Sequence, residues 1–150
     1  MEEFKIFADK SALGKNSAHR QRSMWNQSPQ TWSILADDMG LGKTIQILTA
    51  ILYFKERNKF DTTPSLIIVP PTLISNWENE INKFTPELSY YIYHGSGRTY
   101  PIEEYDIILT SYGVVRLDLD LFLDETWLLC IIDEAQNIKN PNTEQTKAIK

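Results

Sequence analysis

Residues 34–44, Ile-Leu-Ala-Asp-Asp-Met-Gly-Leu-Gly-Lys-Thr, constrain this chain more than any other stretch. A short apolar run predicts a strand, Gly40 and Gly42 predict a tight turn, and Lys43-Thr44 opens a helix. A strand that feeds a helix through so short a turn belongs to a layered α/β fold, because the helix must return across the sheet. The same order of residues suits a nucleoside triphosphate. Glycines let several backbone N–H groups converge on phosphate oxygens, and the helix N-terminus adds its positive dipole end. Asp38, Met39, Gly40, Leu41, Gly42, Lys43, Thr44 and Ile45 are the candidate cradle, with Lys43 reaching the β/γ-phosphates and the Thr44 hydroxyl ligating Mg²⁺. Asp37 stands where the general G-x-x-x-x-G-K-[ST] pattern has its first glycine, so the reading rests on the intact half, Gly-Leu-Gly-Lys-Thr.

A second signal lies at 128–136, Leu-Leu-Cys-Ile-Ile-Asp-Glu-Ala-Gln. An apolar run ending in two carboxylates reads as a buried parallel strand that delivers Asp133 and Glu134 to its C-terminal edge, where such sheets bind ligands. Nucleotide hydrolysis needs one carboxylate near the metal and another to orient or deprotonate water, and this pair supplies both. Taken singly, the first motif could be an ordinary strand-to-helix turn and the second an acidic helix cap. Together they are far more specific.

The segments between repeat the alternation. A strand is predicted at 33–36, a helix at 43–58, a strand at 65–69 stopped by Pro70-Pro71, and an amphipathic helix at 73–84. A strand at 89–94, a loop at 95–98, a strand at 106–110, a helical stretch from Ser111 and the carboxylate strand at 128–132 complete the pattern. Strands alternating with helices give a parallel β-sheet sandwiched by helices. The loops after 36, 69, 110 and 132 then share one edge. Residues 1–32 lack clear periodicity and are expected to be an extension of short helices and loop, leaving 33–150 as the lobe.

Composition adds limits. A net charge of −5 argues against a basic nucleic-acid sleeve over the whole surface while leaving room for a local groove. The single cysteine, Cys130, has no disulfide partner and reads as a buried hydrophobe in a reducing setting. No apolar run reaches the roughly 18 residues a membrane span needs, so no membrane role is expected. His19 and His94 form no metal-ligand pattern, which leaves nucleotide-bound Mg²⁺ as the implied metal. Trp77, Tyr90, Tyr91 and Tyr93 are expected in core packing rather than base stacking, and Arg98 is a weaker candidate for DNA contact, expected rather as a solvated loop charge.

From about Trp32 to Asn140 the chain resembles the Swi/Snf-type DNA-translocating ATPases of helicase superfamily two. Residues 34–46 are similar to that family's motif I, where Asp-x-Met-Gly-Leu-Gly-Lys-Thr is the usual wording, and 66–80 to motif Ia and its helix. Asp106-Ile-Ile-Leu-Thr-Ser-Tyr-Gly113 resembles motif Ib, and 132–140 the DExx box. The resemblance implies a P-loop NTPase fold, the first of two RecA-like lobes, with ATP and Mg²⁺ as cofactors and double-stranded DNA as partner. By the same resemblance Asp133 positions Mg²⁺, Glu134 is the catalytic base or orients water, and Gln136 couples the nucleotide to the second lobe. Thr72, Ser75, Thr110 and Ser111 match the positions that grip the DNA backbone without reading bases, although Thr72 and Ser75 would also serve as helix caps. The family's adenine-recognising aromatic-Gln pair has only Gln21 as a candidate here, at an unusual spacing.

The chain stops at Lys150, before the next motif of the first lobe and the whole second lobe. In the family that lobe brings arginines, worth on the order of 10³-fold or more in related nucleotidases, so this stretch alone is expected to bind nucleotide weakly and hydrolyse it poorly. Two further readings stay open: a truncated module that acts by binding only, and a P-loop nucleotidase unrelated to DNA, against which the motif Ia and Ib segments speak. The expected location is the cytoplasm, with the nucleoid, in a bacterium or archaeon and the nucleus in a eukaryote.

Overall fold

The structure, a computed structural model, describes residues 2–8, 31–37, 42–57, 62–100 and 105–134. Its elements in chain order are β1 (Glu2–Ala8), β2 (Thr31–Asp37), α1 (Lys43–Arg57), β3 (Ser65–Val69), a short 3₁₀ turn (Pro71–Leu73), α2 (Ile74–Phe84), β4 (Tyr90–Tyr93), β5 (Ile107–Ser111), α3 (Tyr112–Leu117), α4 (Leu119–Asp124) and β6 (Leu129–Ile132). The strands form one sheet in the order β2-β1-β6-β3-β5-β4. The pairs β6·β3, β3·β5 and β5·β4 are parallel, so four of the five strands that the alternating pattern predicts form a contiguous parallel core.

Strand parity sorts the core into two layers. Ile67 and Val69 of β3, Ile107 and Leu109 of β5, and Leu129 and Ile131 of β6 face Ile47, Leu48 and Ile51 of α1 and Ile74, Trp77 and Ile81 of α2. The alternate residues Leu66, Ile68, Ile108 and Ile132 face Tyr112, Val114 and Val115 of α3 and Phe122 of α4. Both faces of β3 and β5 are therefore covered, which explains their unbroken apolar runs. Each fully buried Ile, Leu or Val contributes roughly 1.5–3 kcal/mol relative to exposure.

The helices are more one-sided than their composition suggests. In α1 Ile45 and Tyr53 are exposed while Ile47, Leu48 and Ile51 are sealed, so a stripe of the helix, not most of it, meets the sheet. The stretch from Ser111 is two short helices rather than one, broken at Asp118. Tyr93 is buried, Tyr90 and Tyr91 are half-buried, and Trp77 is 3% exposed, in keeping with core packing.

The N-terminal segment departs from expectation. Residues 2–8, expected as helix and loop, form β1, which pairs antiparallel with both β2 and β6. The sequence Glu-Glu-Phe-Lys-Ile-Phe-Ala carries only a short alternation, and its strand state comes from two neighbours distant in sequence. Strand β2 is thereby set one strand away from β6, still running in the direction of the parallel core. Among the described residues no helix is long and apolar enough to cross a membrane.

Candidate functional site

All the parallel strands end at the same edge, and the sequence-predicted site residues within the described chain gather there. At the glycine turn Gly42 has φ +76°, the left-handed region open to glycine at little cost. Its carbonyl accepts from the Gln46 N–H at 3.0 Å, so α1 starts directly on the turn. Lys43 is 5% exposed although charged, and Thr44 beside it is half-buried. A lysine this enclosed at a helix start stands beside the N–H groups and positive dipole end to which anions bind in other proteins. Ile45 is exposed on the first turn. Asp38, Met39, Gly40 and Leu41 lie outside the described residues, as do Gln21 and Gln136.

Asp133 follows β6 and is 4% exposed. Its position is fixed from several sides. Its N–H donates to the Ile68 carbonyl at 2.9 Å, extending the β6·β3 pairing by one residue. Its Oδ1 accepts from the Glu134 N–H at 2.8 Å, and its Oδ2 accepts from the indole Nε1–H of Trp77 at 2.8 Å. The Tyr112 hydroxyl donates to its backbone carbonyl. Burial first, then the charges of Asp133 and Glu134, push the Tyr112 phenol upward, so it stays a donor through the physiological range. Glu134 is half-buried with φ +50°, an unusual value for a residue other than glycine. The local bond to Asp133 Oδ1 steadies that turn and re-aims the chain directly after the strand.

These donors suit a hard cation that is shared with phosphate. Thr44 offers a hydroxyl and Asp133 a carboxylate, and among the described residues no group of three or more His, Cys, Asp or Glu gathers to hold a metal unaided. Mg²⁺ is commonly held by one or two protein oxygens together with substrate phosphates, so the residues present fit it in that role.

The four hydroxyls matched to DNA contact divide into two pairs. Thr72, in the 3₁₀ turn, and Ser75, in the first turn of α2, are exposed. Neither is the cap of α2: the cap position is Leu73, with no side-chain hydrogen bond, which corrects the capping reading. Thr110 is instead fully buried, and its hydroxyl donates to the Tyr93 carbonyl at 2.8 Å. Ser111 is 1% exposed, with its Oγ 3.2 Å from His94 Nδ1. Their side chains brace β5 against β4, so neither hydroxyl is presented at the surface.

Arg98 is also corrected. It is not a solvated charge: it pairs with Asp118 at 2.6 Å, donates to the Gly95 carbonyl at 2.7 Å and sits 5.4 Å from the centre of the Tyr93 ring. The Tyr93 hydroxyl shares the same Asp118 oxygen at 2.9 Å. Two links were not legible from spacing, Trp77 to Asp133 and Tyr112 to Asp133. Both join residues far apart in sequence, and only the hydrophobic parity of α2 placed Trp77 toward the sheet.

Comparison with known proteins identifies the family and the fold. Residues 19–150 match the SNF2-related domain. The chain is 43% identical over 122 residues to the Putative ATP-dependent helicase/translocase YwqA of Bacillus subtilis, an alignment covering 77% of this chain and 13% of that protein. It is 36% identical over 132 residues to the TATA-binding protein-associated factor MOT1 of Saccharomyces cerevisiae, covering 78% of this chain and 7% of that one. Among solved structures, the Sulfolobus solfataricus SWI2/SNF2 ATPase core in complex with dsDNA superposes with a TM-score of 0.66 at 45% identity, covering 76% of this chain and 24% of that chain. The chain thus spans a small part of the curated relatives it matches.

Proposed function

The chain belongs to the SNF2-related domain family, and from that premise we propose that it forms the ATP-binding lobe of a DNA-dependent ATPase that moves along duplex DNA. One observation carries the reading: the Gly42–Lys43 helix start and the Asp133–Glu134 turn lie on the same sheet edge, with both Lys43 and Asp133 enclosed. The names of the relatives support ATP use, and the solved complex supports duplex DNA as the partner.

In this reading Lys43 and the N–H groups at the start of α1 bind the phosphates, and Thr44 and Asp133 hold Mg²⁺. Mg²⁺, when bound, offsets charge on the β- and γ-phosphate oxygens. Glu134, turned out of the strand by its positive φ, orients a water or accepts its proton. Asp38, Met39, Gly40, Leu41 and Ile45 complete the cradle, and Gln136 relays the nucleotide state to a second lobe. Thr72 and Ser75, exposed on the same edge, contact the DNA backbone by donating hydroxyl hydrogen bonds to phosphate oxygens, which position the duplex without reading its sequence.

The test is ATP hydrolysis by the complete protein with and without duplex DNA. DNA-stimulated turnover that Glu134→Gln removes is the expected result. No stimulation by any duplex would end the translocase reading, and full activity in Glu134→Gln would take that residue out of the chemistry.

A further inference from the structure

Trp77 has no part in the roles assigned so far, yet its one polar side-chain atom points at the carboxylate on which they converge. The residue lies at the end of the first turn of α2, 3% exposed, with its ring in the layer between that helix and the sheet. Parity explains the meeting. Asp133 continues the set Leu129 and Ile131, which faces α1 and α2, so its side chain emerges on the same side as the indole. Nε1 donates to Oδ2 at 2.8 Å.

A buried indole N–H needs an acceptor, and a backbone carbonyl would satisfy it without touching the site. The acceptor here is a charged oxygen, which makes the bond stronger and shorter than a neutral one. The other carboxylate oxygen is held at 2.8 Å by the Glu134 N–H. Two donors, one on each oxygen and from separate parts of the chain, fix the plane of the carboxylate.

Resting on the reading of Asp133 as the carboxylate for Mg²⁺, we infer that Trp77 is a positioning residue that sets the Asp133 carboxylate for the metal. Outer partners of metal-holding groups typically account for about 10–100-fold in metal affinity or activity. The Trp77 link is of that kind: α2, whose first turn also carries Ser75, fixes the orientation of an acid at the end of β6.

The experiment uses the complete protein and two variants. Trp77→Phe keeps a buried ring and removes the donor. Replacement of Trp77 by 3-benzothienylalanine, nearly the shape of the indole with sulfur in place of N–H, serves if the phenylalanine variant does not fold. ADP affinity is measured in EDTA and again across a Mg²⁺ titration, alongside the Mg²⁺ dependence of ATP hydrolysis and the melting temperature. The expected result is a rise of about tenfold or more in the Mg²⁺ needed for half-saturation, in binding as in turnover, with ADP affinity in EDTA unchanged. An unchanged Mg²⁺ titration in a folded variant overturns the inference. So does equal weakening with and without metal, which would mark Trp77 as packing alone. Failure of the wild-type protein to respond to Mg²⁺ at all would instead strike the reading of Asp133 itself, so the two failures are distinct.

Discussion

Lys55 Nζ lies 2.5 Å from Asp106 Oδ2, joining the last turn of α1 to the entrance of β5 at the edge opposite the glycine turn. The same oxygen accepts from the Ser89 N–H at 2.7 Å and from the Ser89 hydroxyl at 2.8 Å, so one carboxylate ties together α1, β4 and β5. Burial acts to raise the Asp106 pKa, but the hydrogen bonds from Lys55 and Ser89 outweigh it, and the net direction is downward from 3.8. A folded-state pKa below the unfolded one means stability that is present above the unfolded value and lost as pH falls through the folded one. Asp106→Asn should therefore destabilise the lobe by about 1–2 kcal/mol at neutral pH. The gap between variant and wild type should close below the ordinary carboxylate range. Urea unfolding at a series of pH values checks it, and a gap that persists in acid would refute the assignment.

Gly42→Ala isolates the backbone requirement of the turn. A Cβ there would meet only Ile45 Cδ1 at 3.9 Å, ordinary contact, so sterics with neighbours are not the obstacle. The cost comes from φ +76°, a conformation that costs an L-residue about 1–2 kcal/mol. Thermal unfolding should show a loss of that size, and fluorescent-ADP titration should show weaker nucleotide binding as the turn relaxes away from it. A variant with wild-type affinity would mean that the turn does not need this geometry to hold phosphate.

Much of this architecture was legible because it follows local pattern. The runs at 65–69 and 107–111 are buried on both faces, and the spacing of Ile74, Trp77 and Ile81 marks one side of a helix. What escaped the sequence depends on partners far along the chain. Strand β1 exists through its pairing with β2 and β6, and a seven-residue stretch holding three charges gives no strong signal for that. Arg98 looks solvated in a Gly-Ser-Gly loop until Asp118, a break between two helices, arrives beside it. Thr110 reads as a surface hydroxyl because its motif ends a strand, yet parity turns it inward onto Tyr93.

Lys43→Ala and Glu134→Gln should separate binding from chemistry. Lys43 is enclosed at the helix start, and its loss removes charge complementary to phosphate. Mg²⁺–ATP stabilises whatever state binds it, so it should raise the wild-type melting temperature modestly, and Lys43→Ala should abolish that shift. Glu134→Gln keeps the size of the side chain and should retain the shift while losing turnover by roughly 10²–10⁴-fold. A shift retained in Lys43→Ala would place the nucleotide elsewhere.

The two pairs of hydroxyls at the sheet edge make opposite predictions. Thr72 and Ser75 are exposed, so Thr72→Ala with Ser75→Ala should leave stability nearly unchanged. Each lost hydrogen bond to a charged phosphate oxygen is worth about 1.5–3 kcal/mol, which predicts duplex affinity lower by roughly 10²- to 10⁴-fold for the pair. No charge is removed, so the slope of log affinity against log salt should stay as it was. Thr110→Val deletes the donor that satisfies the Tyr93 carbonyl and leaves a buried acceptor without that partner. It should cost about 1–3 kcal/mol of stability while DNA affinity is retained in the folded fraction. Fluorescence anisotropy with a labelled duplex at several salt concentrations, read beside thermal unfolding, distinguishes the two. If Thr110→Val weakens DNA binding without affecting stability, the β5 hydroxyl reaches the backbone after all and the division into two pairs is wrong.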